Sequence, residues 1–178
     1  MVRNKPRLHI ALYARPNLPN SYHYALIMSS KDRSADVVMY HVTNARRSTQ
    51  GQPSQRWRHE KFTLNSLSNE PRLLVLVSVA KVIRPLDDIT EILHSVSLYQ
   101  PEDGDNYQTF SCAAWTRVAL QHLYGEKAIT GDAGMGDWAQ LDQQALKFVQ
   151  EQKAEGQWDD HGWMESREIP CLDLLQKQ

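Results

Sequence analysis

Cysteine is nearly absent from this chain. Cys112 and Cys171 are the only two, far apart and with no CxxC spacing. That excludes a disulfide framework and a cysteine-built zinc site. Free thiols fit a reducing, cytoplasmic setting. Charge of one sign is also missing: 20 basic residues stand against 21 acidic ones. The chain therefore lacks the basic excess that nucleic acid or an acidic membrane surface demands. Long apolar runs are missing too. The longest, LLVLVSVA from Leu73 to Ala80, is too short to span a bilayer and suits a buried strand. The opening MVRNKPRLHIALYARP has no uninterrupted apolar segment of the secretory kind. No internal repeat stands out. What remains, 41% apolar and 23% charged, predicts one globular domain over residues 1–178.

The first half carries strand patterns. RLHIALYA (Arg7 to Ala14), YHYALIMSS (Tyr22 to Ser30), VVMYHVTN (Val37 to Asn44) and RWRHEKFTL (Arg56 to Leu64) alternate or are rich in β-branched and aromatic residues. PRLLVLVSVAKVI is continuously apolar, as a central strand is. KDRSAD reads as a hairpin loop and ARRSTQGQPSQ as a flexible one. The second half carries helix patterns. PLDDITEILHSV offers Asp87 or Asp88 as its N-cap. A helix led by Cys112 has Thr109 or Ser111 to cap it and Gly125 to stop it. DWAQLDQQALKFVQEQK begins at an Asp137 cap. YQPEDGDNYQ between the first two helices reads as a loop, and Ile169 to Leu175 as a last short strand or turn. Strands first and helices after predict an α+β domain, with an antiparallel sheet packed against helices.

The chemistry concentrates at Cys112. A helix N-terminus supplies free N–H groups and partial positive charge, and both favour a thiolate. A nucleophilic cysteine also needs a base. Of seven histidines, His23 is the first candidate. Alternation sets it with Ala25 and Ile27, opposite Tyr22, Tyr24, Leu26 and Met28. A face shared with Ala and Ile is aimed at packed material, where a helix can lie. His41 shares a face with Val37, Met39 and Thr43. If KDRSAD pairs the two strands, His41 can orient His23 through a ring-to-ring hydrogen bond. Taken singly, each residue has a plainer explanation. A helix cysteine is usually a small buried hydrophobe, and a strand histidine is usually a satisfied one.

The order of these parts resembles the circularly permuted papain-like fold of the NlpC-type, lecithin:retinol acyltransferase-like and PPPDE-type families. SYHYALIM is similar to their histidine strand, YHV to the strand after it, and FSCAAWTRVAL to their cysteine-led helix. Over most of its length the chain also resembles a fungal family with a CxxWvrxAL helix. Here that helix is CAAWTRVAL, with DWAQLDQQALKFVQEQKAEGQW following. The resemblance implies Cys112 as nucleophile, His23 as general base and His41 as the orienting residue. Tyr13 could donate to an oxyanion, with Ser111 and Trp115 lining the substrate site. It implies a cysteine hydrolase or acyltransferase acting on an acyl or amide bond, with no cofactor and a small-molecule or peptide substrate. A tailoring enzyme of secondary metabolism is one form of this. Two departures stand out. Ser111 replaces the Asn that precedes the cysteine, and the hydrophobic tail of the acyltransferase relatives is absent, which turns the expectation away from phospholipids. The alternatives are a binding module that engages its partner through the Arg46 to Gln55 loop, and a cyclase or isomerase that uses His23 without the thiol.

Other chemistry-bearing stretches weigh less. His59 in HEK and His161 in DDH have no partner at metal-ligand spacing, so no metal site is expected. GDAGMGD lacks the GK[ST] of a phosphate loop and reads as a connection before a helix cap. Tryptophans at helical spacing are core residues before they are pocket walls. His94 and His122 read as helix-surface residues, and Cys171 as structural.

Overall fold

The computed structural model describes residues 4–34, 37–49, 52–131, 136–159 and 168–176. Strands β1 (Arg7–Ala14), β2 (Tyr22–Ser29) and β3 (Val37–Thr43) form an antiparallel meander. β4 (Arg47–Thr49) and β5 (Gln52–Ser54) make a separate small hairpin, where the sequence predicts a flexible loop. β6 (Arg58–Leu64) pairs with β3 at the sheet edge, and β7 (Leu73–Val82) with β1 at the centre. Helices α1 (Leu86–Ser95), α2 (Asp105–Thr109) and α3 (Cys112–Gly125) follow, then β8 (Ile129–Thr130), α4 (Trp138–Ala154) and β9 (Cys171–Asp173). The sheet order is β6-β3-β2-β1-β7-β8, with β9 also on β7 and parallel to it. The fold is α+β.

β7 explains its own composition. It pairs with β1 on one side and with β8 and β9 on the other. Leu73 to Ala80 are all buried. A strand covered on both faces has no use for alternation, so it is continuously apolar. Each fully buried leucine or valine contributes roughly 1.5–3 kcal/mol of apolar burial.

The two faces of the sheet are covered differently. Tyr24 hydrogen-bonds Asp142 of α4, Tyr40 bonds Thr90 of α1, and the His59 ring lies 5.9 Å from Trp115 of α3. The helices therefore cover the Leu8, Leu12, Tyr24, Leu26 and Tyr40 face. His9, Tyr13, Ile27, Met39 and the two site histidines project the other way, because Tyr13 pairs with His23 and Met39 with Ile27. The expectation that a helix lies over the His23 face is thus corrected. The larger side chains, Tyr24 and Tyr40, offer more apolar surface and hydroxyls that reach polar partners on the helices.

Smaller differences have local causes. α1 starts after Pro85 with no side-chain cap; Asp87 and Asp88 sit in its first turn, where they meet the helix dipole. The stretch expected to be a loop before Cys112 contains a 3-10 turn at Pro101–Asp103 and the short α2. Asp137 and Ser111 cap α4 and α3 as expected. Most of GDAGMG, and His161 with Trp163, lie outside the described residues. No helix among the described residues is long and apolar enough to cross a membrane.

Candidate active site

β2 and β3 pair only over Leu26–Met28 and Val38–Tyr40. Beyond that register the strands part, and the candidate residues gather there. His23 Nε2 and His41 Nδ1 are 2.6 Å apart. The rings meet edge to face, with centroids 4.9 Å apart. His41 Nε2 lies 3.1 Å from Glu60, which Arg58 holds from its other oxygen at 2.8 Å. The register explains the contact: His41 pairs with Glu60 across β3 and β6.

This chain fixes the protons. The Glu60 carboxylate can only accept, so His41 donates from Nε2. A neutral His41 then accepts at Nδ1, and His23 must donate from Nε2. The lone pair of His23 is left on Nδ1. Both rings stay neutral at ordinary pH. Burial pushes His23 down to about 3, with the nearness of His41 and Arg15 acting in the same direction. Burial also lowers His41, with Glu60 opposing it.

Cys112 arrives from the helical side. It opens α3, which packs on β2 and β3, and Ser111 caps the helix by accepting from Ala114 N–H at 3.1 Å. The sulfur accepts from Tyr24 N–H at 3.5 Å and from the Arg15 guanidinium at 3.4 Å. Tyr24 N belongs to the peptide that joins it to His23. The thiol thus sits one residue from the expected base, but no Cys112–His23 hydrogen bond is among those of the described residues. α3 lies on the Tyr24 face, so its first residue meets the strand from that side. Cys112 is 2% exposed.

A cavity of about 750 Å³ opens on the histidine face, lined by Tyr13, Arg15, Leu18, His23, Met39, His41 and Arg72 among others. The remaining expected residues fall apart from one another. Tyr13 lines this cavity, but its hydroxyl already lies 3.1 Å from Met39 sulfur and 3.3 Å from Glu70. Burial and the Glu70 charge both hold it protonated. Ser111 serves as a helix cap. Trp115 is corrected from a pocket wall to a core residue: it is 1% exposed, between α3 and the sheet, with its indole nitrogen unpartnered.

Glu60, Arg58 and Arg15 are the residues the sequence reading missed. Glu60 had a signal, since alternation sets it with Phe62 on one face of an edge strand. Arg15 had none, lying in the turn-rich RPNLPNS. A second histidine network runs along the same face. His9 holds Ser78 through Nδ1 and Ser29 through Nε2, each at 2.9 Å, and Ser78 Oγ lies 3.3 Å from Cys171 sulfur. No group of three or more His, Cys, Asp or Glu side chains that could hold a metal occurs among the described residues.

A family model matches residues 5–178. The chain belongs to the DUF6914 family. That family is described as one of unknown function. No curated protein matches the chain, and neither does any solved structure. What this DUF6914 member does has to be argued from its own side chains.

Proposed function

We propose that this protein is a cysteine-dependent enzyme acting on an acyl or amide bond, on a permuted papain-like arrangement of sheet and helix. The observation that carries the reading is the Glu60–His41–His23 chain. It leaves an unprotonated Nδ1 on the histidine whose own peptide nitrogen neighbour, Tyr24 N, touches the Cys112 sulfur. A neutral imidazole is the form that accepts a proton.

The Cys112 thiol gives its proton to His23 Nδ1 while the sulfur forms a bond to the substrate carbonyl carbon. The carbonyl electron pair moves to oxygen, where first-turn N–H groups of α3 face it. His23 then returns the proton to the leaving amine or alcohol as the carbon–heteroatom bond breaks. Water or a second acceptor releases the acyl group from sulfur. Arg15 supplies positive charge beside the thiolate.

The test is the rate of Cys112 alkylation by iodoacetamide against pH, read by intact mass, in wild type and His23→Ala. Base assistance predicts a fast phase that stays flat between about pH 5 and 7, where His23 is neutral, and disappears in the variant. An ordinary thiol profile that the mutation leaves unchanged would defeat the proposal.

A second reading rests on the burial of Cys112, which is not among the described residues lining the cavity that both histidines line. In it, His23 works as acid and base in an isomerisation or cyclisation without the thiol. Turnover that survives Cys112→Ser but not His23→Ala selects it.

A further inference from the structure

We propose that the cavity beside His23 takes a substrate bearing a carboxylate, held by Arg15 and Arg72. This deepens the acyl- or amide-bond reading and rests on it for the chemistry of the other end of the substrate.

Charge is the first argument. Arg15 and Arg72 both line the cavity, and no Asp or Glu is among the described residues that line it. His23 and His41 line it as well and stay neutral, for the reasons of burial given above. The described lining therefore carries two guanidinium groups, while Glu70 and Glu60 are engaged by Tyr13 and His41. Arg56 lies 2.6 Å from Glu102 and Arg58 lies 2.8 Å from Glu60, whereas Arg7 and Arg33, away from the cavity, reach only backbone carbonyls among the described residues. Arg15 instead holds the Ser21 hydroxyl and the Cys112 sulfur, and Arg72 makes no ion pair among the described residues. Two guanidinium forks without a carboxylate fit an incoming one, which they can engage in the bidentate geometry that suits arginine.

The backbone of Arg72 is the second argument. Its φ is +66°, in the left-handed region, where a residue with a Cβ costs about 1 kcal/mol more than glycine. Its carbonyl is pinned by Ala14 N–H at 2.8 Å, next to the register shift between Leu12 and Tyr13 on β1. Glycine would serve this turn better; Arg33 and Lys127 also adopt positive φ, and Arg72 differs from them in lining the cavity.

Shape is the third. Tyr13, Leu18 and Met39 give the cavity an apolar side, and its volume matches a small organic ligand. Among the described residues its lining includes no glycine-rich turn and no helix N-terminus of the kind that cradles phosphate. The substrate is an apolar acyl compound whose carboxylate reaches Arg72 and Arg15, with its scissile bond toward His23 and Arg15 lying between that carboxylate and the Cys112 sulfur it also contacts.

The test uses 4-phenylbutyrate, its primary amide and phenethyl phosphate, titrated calorimetrically into Cys112→Ser protein. The carboxylate should bind about tenfold or more tightly than the amide, and more tightly than the phosphate. Arg72→Gly should remove that preference while Tm holds or rises, because it relieves the backbone. Arg15→Gln is the second variant and should weaken the preference too. Equal binding of acid and amide, no binding of the acid at millimolar concentration, tighter phosphate binding, or a preference that survives Arg72→Gly would each overturn the proposal. The serine variant has no thiol, so these titrations stand whether or not Cys112 is a nucleophile.

Discussion

Two histidine networks share one face of the sheet, and they are built to different ends. His9 is 2% exposed and spends both ring nitrogens on serine hydroxyls. Its protons can be traced. Ser29 donates to the Ser30 carbonyl, so His9 gives Nε2–H to Ser29 and accepts from Ser78 at Nδ1. Every polar atom of the ring is satisfied, as a buried one must be. His23 has one nitrogen committed, to His41, and stands on a cavity wall. The saturated ring stabilises; the ring with a nitrogen in hand can do chemistry. Burial alone does not separate them, since it lowers both, His9 to about 4 and His23 to about 3.

The contrast can be broken by exchanging the roles. His23→Ala should slow Cys112 alkylation below pH 7 by about 10²-fold or more, with a modest change in Tm. His9→Ala should do the reverse. It removes one hydrogen bond from each of two serine hydroxyls and opens a cavity, for a loss of about 3 kcal/mol in denaturant melts, while the alkylation profile stays that of wild type. If His9→Ala changed reactivity and left stability alone, the division would be wrong.

Acid should sharpen it. Both histidines have folded pKa values below the unfolded value of 6.5. The unfolded chain therefore binds more protons than the folded one below pH 6.5, and stability falls as pH falls through that window. For His9 most of the loss is reached by pH 4, where it amounts to about 3 kcal/mol, and it levels off below that pH. A His9→Gln protein should show a shallower fall in urea midpoint between pH 7 and 4 than wild type.

Smaller effects probe the wiring. Glu60→Gln can donate to His41 Nε2, which reverses the proton order and places a hydrogen on His23 Nδ1. The fast alkylation phase should fall about tenfold, with a changed pH profile and little change in Tm. Cys171→Ser should be nearly silent. Serine can still partner Ser78, so stability should move by no more than about 0.5 kcal/mol, and Cys112 should react as before.

The strands were legible because their patterns are local. Alternation in YHYALIMS and the unbroken apolar run of β7 reflect one buried face and two. The His23–His41 contact was legible for the same reason, since a short hairpin loop joins adjacent strands. The side of the sheet that the helices take was not. Ala25 and Ile27 look as packable as Tyr24 and Leu26, and only the distant partners Asp142 and Trp138 decide. Nor did sequence point to Arg15, a loop residue whose importance lies in reaching a sulfur 97 positions away. Trp115 was misassigned because an aromatic at helical spacing looks the same whether it lines a pocket or fills a core.

The contacts of Cys112 with Arg15 and Tyr24 span 97 and 88 residues, whereas β1, β2 and β3 close through short loops. During synthesis the strands bearing His23, His41 and Glu60 leave the ribosome long before the cysteine. Local pairings form early and distant ones wait for loop closure. The sulfur therefore meets its guanidinium and its strand only when α3 docks. The contacts of Cys112 are made last, as a product of completed folding.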